Sequence, residues 1–143
     1  MLHRDLNEDR ALKILKKTSV TSESDFSNEI AMLKSIDHPN VLKYYECYQD
    51  EFNYYIVTEF CKGGELLSCI VKERGISDWQ AAYVMKQIFS AVNYCHARGI
   101  VHRDMKVENV LVKEIENSAS DDYGRKKISI KIIDFGISCR IKP

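Results

Sequence analysis

The sequence is short of several things, and each shortage removes a class of function. It has no dominant sign of charge: 21 Lys and Arg stand against 21 Asp and Glu, for a formal net charge of zero. A general nucleic-acid or anionic-membrane binder carries a strong basic excess, so neither partner is expected. It has no long apolar run. The longest stretches are far too short to span a bilayer, and Leu2 passes directly into His3, Arg4 and Asp5 without the apolar core of a secretory leader. It has no cysteine pattern either. Cys47, Cys61, Cys69, Cys95 and Cys139 are odd in number and lack CxxC spacing, which gives neither a disulfide framework nor a zinc site. A reducing, intracellular (cytoplasmic) setting is therefore expected. His38 and His96 have no second histidine or cysteine at ligand spacing, and no EF-hand loop, internal repeat or low-complexity tail is present.

What remains is the composition of an ordinary globular domain, 45% hydrophobic and 29% charged over 143 residues. Ala11–Leu15 is expected as a strand near the start, and Thr18–Ser24 as a polar loop. From Asp25, Phe26, Ile30, Leu33 and Ile36 recur at helical spacing. Asp37-His38-Pro39-Asn40 stops that helix, because proline disfavours the helical conformation of the residue before it. Val41–Tyr48 and Tyr54–Phe60, rich in aromatic and β-branched residues, predict a strand pair around the polar Gln49–Asn53. Gly63-Gly64 then breaks the chain. A helix with Leu66, Leu67, Ile70 and Val71 follows, with Gly75 as its C-terminal cap. Ser77 and Gln80 form a capping-box pattern at the start of the clearest helix, with Met85, Ile88, Phe89, Val92 and Cys95 as its expected buried stripe and Gly99 at its end. Val110–Val112 and Ile128–Ile133 predict two brief strands around the polar stretch Glu114–Lys127. Within that stretch, Asn117–Asp122 is expected to be an exposed, mobile hairpin tip.

Three separated signals carry chemistry. The first is His102-Arg103-Asp104-Met105-Lys106-Val107-Glu108-Asn109, followed by the apolar Val110-Leu111-Val112. The second is Asp134-Phe135-Gly136 after a strand, and the third is Ala11-Leu12-Lys13 on the first strand with Glu29 on the first helix. Together they make a phosphoryl-transfer kit, in which the protein positions a hydroxyl against a γ-phosphate and neutralises charge. Asp104 can accept a hydrogen bond from the attacking hydroxyl, and Lys106 can set positive charge beside the transferring group. Asn109 and Asp134 offer oxygen ligands to magnesium, a hard cation. Lys13 can contact phosphates, and Glu29 can fix that lysine by an ion pair. The five fixed positions His102, Arg103, Asp104, Lys106 and Asn109 coincide by chance about once in a few million placements. Lys13 and Glu29 taken alone carry little; a strand lysine and a helix glutamate ordinarily just face solvent.

These residues, in this order, resemble the signature set of the protein kinases, and the resemblance runs essentially the whole length. It implies an α+β, two-lobed kinase fold. Residues 1–60 would form a small antiparallel sheet lobe with one helix, and residues 61–143 the hinge and a partial helical lobe through Asp134-Phe135-Gly136. Thr58 would be the gatekeeper, and Glu59-Phe60-Cys61 the hinge that meets adenine. Ala11 and Leu111 would sandwich the base, and Glu65 would lie near the ribose and the substrate's basic residues. Leu33, Tyr44, His102 and Phe135 would stack as the regulatory spine. ATP and Mg2+ are the implied cofactors, and a protein serine or threonine hydroxyl the acceptor, since Lys106 two residues after Asp104 is the serine/threonine pattern. The stretches Asp37–Val41, Asn53–Glu59 and Gly63–Leu66 are similar to those of calcium-dependent protein kinases of protists and plants, and related calmodulin-regulated kinases share much of them. That implies a calcium-sensor partner or a further domain.

The sequence also departs from that pattern. Only twelve residues precede Lys13, none of them glycine, whereas the family places a Gly-rich phosphate loop there. Pro143 follows soon after Asp134-Phe135-Gly136. The fold is thus expected to be truncated at both ends, with apolar surface left open on the Ser77–Arg98 helix. The intact catalytic residues favour a serine/threonine kinase. The missing pieces favour a second reading for the chain by itself, a catalytically impaired kinase-like fragment acting as a binding or regulatory module. A small-molecule kinase of the same broad fold fits the hinge sequence less well.

Overall fold

In a computed structural model, residues 2–3, 8–20, 22–117, 126–135 and 138–141 are described. β1 (Leu2–His3) pairs antiparallel with β2 (Glu8–Lys16), Leu2 opposite Asp9. The sequence predicts only Ala11–Leu15 for this strand. Pairing along its whole length, from Arg10 opposite Glu59 to Lys16 opposite Asn53, extends it outward. α1 spans Glu23–Ser35, two residues earlier than predicted. β3 (Tyr44–Gln49) and β4 (Asn53–Glu59) complete a four-stranded sheet of order β1-β2-β4-β3. Period-2 alternation on β4 buries Tyr54 and Ile56, and helical periodicity on α1 buries Phe26 and Ile30 against them. The Phe26 and Tyr54 rings stack at 3.9 Å between centroids.

β3 starts three residues later than the sequence predicts, because residues 40–42 are engaged elsewhere. Val41 bridges Ile132 in parallel, the Leu42 N–H donates to the Ile132 carbonyl at 3.0 Å, and the Ile132 N–H donates to the Asn40 carbonyl at 2.8 Å. Those bonds fasten the first sheet to the second part of the chain. That part comprises β5 (Gly64–Glu65), α2 (Leu66–Lys72), α3 (Asp78–His96), β6 (Ile100–Val101), β7 (Val110–Asn117), β8 (Lys126–Ile132) and β9 (Cys139–Arg140). Strands β5, β7 and β8 form one antiparallel sheet, and β6 pairs with β9. The capping box is present: Ser77 Oγ accepts from the Gln80 N–H at 3.2 Å, and Gln80 Oε1 accepts from the Ser77 N–H at 3.0 Å. The C-cap of α2 is Glu73, two residues before the expected Gly75; Arg74, at φ 57°, takes the left-handed position after it, and Gly75, at φ 120°, donates its N–H to the Ile70 carbonyl.

The main core lies between α3 and the β7–β8 ladder. It gathers Val84, Ala91 and Cys95 with Val110, Val112, Ile128, Ile130, Ile132 and Phe135. The buried stripe on α3 differs from the predicted one. Cys95 is buried and Ile88 packs against the core, but Met85 and Phe89 are exposed, since the face turned to β8 is the one carrying Val84 and Ala91. β7 and β8 are also longer than predicted, continuing the ladder to Asn117 opposite Lys126. The expected hairpin tip beyond Asn117 lies outside the described residues. Among those residues no helix is long and apolar enough to cross a membrane.

Gly63 shows how closely the segment before β5 is packed on β7. A Cβ there would collide with Val112 Cγ1 and stand 2.8 Å from the Val112 carbonyl oxygen, and Val112 is fully buried. Gly63→Ala is expected to destabilise the fold by about 1–3 kcal/mol, the ordinary range for overpacking. Urea unfolding should show a lower midpoint at unchanged slope.

Candidate active site

The loop after β6 owes its shape to a small set of polar bonds. Asp104 Oδ2 receives the Lys106 ammonium at 2.6 Å and the Asn109 amide at 2.9 Å. The same Asn109 amide nitrogen also donates to the Asp104 carbonyl at 2.9 Å. Asn109 ends a 3-10 turn, Val107–Asn109, and is buried. Its own carbonyl accepts from the Ile133 N–H at 2.9 Å, which seats it next to the residue preceding Asp134. His102, also buried, closes the arrangement. Its Nδ1 accepts from the Asp104 N–H at 3.3 Å, so Nε2 carries the proton and donates to the Ile133 carbonyl at 3.0 Å. The Phe135 ring meets His102 edge-on at 4.6 Å.

Two of these residues have unusual backbone. Arg103 at φ 68° and Asp134 at φ 64° lie in the left-handed region, which costs a non-glycine residue about 1–3 kcal/mol. Such conformations persist only where surrounding bonds over-determine them, and the His102, Asn109 and Ile133 bonds flank both positions.

The electrostatics follow from the geometry. The hydrogen bond from Lys106 holds the Asp104 carboxyl below its ordinary value, with the Asn109 amide and the Lys106 charge adding to the effect against some desolvation. Lys106 is raised in turn, first by its bond to Asp104, with the charges of Glu108 and Asp134 contributing. A depressed carboxyl contributes stability above its unfolded value of about 3.9, and loses it as pH falls through the folded value. At neutral pH Asp104 is therefore an anion and a hydrogen-bond acceptor, suited to aligning a hydroxyl.

Both hydrogens of the Asn109 amide face Asp104, so its Oδ1 is the end available to a cation. With the exposed Asp134 carboxylate nearby in the chain fold, two oxygen donors fit magnesium, which usually takes few protein ligands and completes its shell with phosphate and water. Among the described residues no cluster of three or more His, Cys, Asp or Glu converges on a point.

The remaining predicted residues fall in two groups. On the first sheet Ala11 pairs with Thr58 and Arg10 with Glu59, which puts Ala11 beside the residue expected as gatekeeper and next to the start of the expected hinge. On the second sheet Leu111 pairs with Glu65 and lies on the face of β7 opposite the buried Val110 and Val112. Cys61 joins the two and is buried; desolvation, with the Glu59 charge second, pushes its thiol up to about 11. Glu65 is exposed and accepts from the Ser68 hydroxyl at 3.3 Å. Lys13 is exposed on β2 opposite Ile56, and Glu29 lies on α1; the expected ion pair between them falls outside the described residues. Of the expected spine, His102 and Phe135 touch and Leu33 packs against the core that contains Phe135, whereas Tyr44 packs with Phe26 and Tyr54 in the first sheet.

The sequence reading missed Lys131. Its ammonium meets Glu59 Oε1 at 2.7 Å, and both side chains are nearly buried. The signal available was a lone lysine inside the β-branched run Ile128–Ile133. Lys106→Met is expected to let the Asp104 carboxyl titrate higher than in the native protein. Carbon-13 NMR of the aspartate carboxyls should detect the change, and an unmoved Asp104 would show that Lys106 does not set its charge.

Comparison with known proteins agrees with this geometry. A family model for the protein kinase domain matches residues 1–143. The chain is 39% identical over 139 residues to calcium-dependent protein kinase 5 of Plasmodium berghei (strain Anka), covering 97% of this chain and 23% of that protein. It is 41% identical over 133 residues to calcium-dependent protein kinase 5 of Plasmodium falciparum (isolate 3D7), covering 93% and 22%. It is 42% identical over 142 residues to calcium/calmodulin-dependent serine/threonine-protein kinase 1 of Oryza sativa subsp. japonica, covering 95% and 22%. The chain thus spans less than a quarter of the length of these relatives. With the Asp104–Lys106–Asn109 loop and Asp134 in place on the two-sheet framework, the chain belongs to the protein kinase domain family.

Proposed function

We propose that this chain carries the nucleotide-binding and phosphoryl-transfer centre of a serine/threonine protein kinase that uses Mg-ATP. The observation that carries the reading is the bonding of Asp104, Lys106 and Asn109 into one unit, tied through the Asn109 carbonyl to Ile133 beside Asp134. In this reading the ionised Asp104 accepts a hydrogen bond from the substrate's serine or threonine hydroxyl and turns its oxygen toward the γ-phosphorus. The oxygen–phosphorus bond forms as the bond to the β–γ bridging oxygen breaks, ADP leaves, and the hydroxyl proton passes to Asp104. Lys106 sets positive charge against the equatorial oxygens as they are transferred. Asn109 and Asp134 would hold magnesium, which supplies neutralisation of phosphate charge when bound. Glu59, Cys61, Ala11 and Leu111 would receive the adenine, and Glu65 the ribose side. Lys13, fixed by Glu29, would take the α- and β-phosphates.

Two wider elements of the reading rest on other support. The relatives' names carry calcium dependence, and we extend it to this chain as control by a calcium-sensing domain or partner. The five cysteines are all free, which supports an intracellular, reducing setting.

In the full-length protein, Asp104→Asn is expected to lower phosphate transfer at least about 100-fold while Mg-ATP affinity stays within about twofold. Asp134→Asn should weaken magnesium-dependent binding and transfer together. Asparagine tolerates the left-handed backbone of Asp134, so that loss reports charge and not strain. Radiolabelled phosphate transfer and calorimetric titration read the two effects, and full activity in Asp104→Asn would sink the assignment.

A further inference from the structure

Lys131 has no part in the chemistry described so far, and the Glu59 side chain has none beyond its place in the proposed hinge, yet the pair sits at the meeting point of three segments. Glu59 is the last residue of β4, where the hinge begins. Its Oε1 accepts from the Lys131 ammonium at 2.7 Å and from the Lys43 N–H at 2.6 Å. Its main-chain N–H donates to the Lys43 carbonyl at 3.0 Å. Lys131 Nζ also reaches the Val41 carbonyl at 3.4 Å. The next residue along β8 is Ile132, bonded to Asn40 and Leu42, and then Ile133, bonded to Asn109 and His102; Asp134 follows. A single buried charge pair therefore joins the hinge, the loop before β3, and the strand that ends at Asp134.

We propose that Lys131 and Glu59 are positioning residues for the nucleotide: they fix the distance between the hinge, where the base is held, and Asp134, where the phosphates and metal are held. The inference rests on the phosphoryl-transfer reading. A nucleotide touches both ends at once, so its affinity depends on those ends being set before it arrives. An apolar pair of similar volume would serve stability equally well, but it would not specify one register. The carboxylate and the ammonium do, because each has partners in two segments and slides out of range of both if the hinge shifts. Neither side chain need touch the reacting atoms.

Stability and positioning are separated by comparing single and double variants of the full chain. Lys131→Met leaves the Glu59 carboxylate buried without its cation, and should lower both the melting temperature and Mg-ATP affinity, the latter by about tenfold, with kcat within about twofold. Lys131→Met combined with Glu59→Gln removes the stranded charge. It should recover most of the melting temperature while affinity stays weak, and Lys131→Arg should keep affinity closer to native. A double variant that binds Mg-ATP like the native protein would overturn the proposal. Amide hydrogen exchange without nucleotide tests the link independently. In Lys131→Met, exchange at residues 59–63 and 132–135 should quicken together, and quickening confined to β8 would refute the link. If the native chain fails to bind Mg-ATP, the phosphoryl-transfer reading falls, while the exchange experiment still decides whether the pair joins hinge to Asp134.

Discussion

Ile132 exchanges two backbone hydrogen bonds with the loop before β3, and most of the site depends on that exchange. Backbone groups are obligatory partners, so a strand that gives its N–H and carbonyl to residues 40 and 42 cannot be moved without losing both. The side chain of Asn40 strengthens the joint. It donates to Gln87 of α3 at 2.9 Å and to the Ile130 carbonyl at 3.1 Å, and Gln87 in turn bonds both Ile128 and Ile130. His38 adds a third anchor, accepting from the Asn40 N–H and meeting the Ser90 hydroxyl. Burial, followed by the Lys131 and Arg98 charges, lowers its pKa, so it stays neutral and keeps both bonds. The short Asp37–Asn40 stop is thus a clamp between the sheets.

From that clamp the chemistry follows along β8. Ile133 receives Asn109 and His102, and Phe135 buries its ring beneath His102. The left-handed backbone at Asp134 turns the carboxylate away from the core at the moment the following ring enters it. Strain of about 1–3 kcal/mol is comparable with what burying a full phenylalanine ring supplies, about 1.5–3 kcal/mol, so the neighbouring residue offsets much of the local cost. The same logic accounts for Lys131. A buried ion pair adds little net stability, but removing one partner costs about 3–5 kcal/mol, which makes its geometry hard to abandon once formed.

The fold was legible wherever one periodicity dominated. α1 and α3 announced themselves by spacing and by the Ser77–Gln80 box, and the His102–Asn109 loop by five fixed residues. What escaped was set by partners remote in sequence. Val41–Lys43 has good strand composition, yet its backbone is claimed by Ile132, ninety residues away. Met85 and Phe89 fit a helical stripe as well as Val84 and Ala91 do, and only the position of β8 decides which pair is buried. Lys131 read as a solvated interruption in an apolar strand because nothing local names Glu59 as its partner. Asp104, Lys106 and Asn109 were legible because their contacts fall within one turn of chain.

The parts of the site differ in what they are fastened to, and α1 is where the difference matters. Asp104, Asn109, Asp134 and, through Lys131, the hinge all hang from β8. Lys13 belongs to β2, whose neighbours are β1 and β4. α1 touches both bodies: Phe26 and Ile30 near its start pack on the first sheet, while Met32, Leu33 and Ile36 near its end pack into the core that holds Phe135. Close-packed interiors transmit displacement because they have little free volume to absorb it. A rotation of α1 on the first sheet would therefore press its C-terminal turn on the core that holds Phe135. The helix cannot move on one cluster without registering in the other.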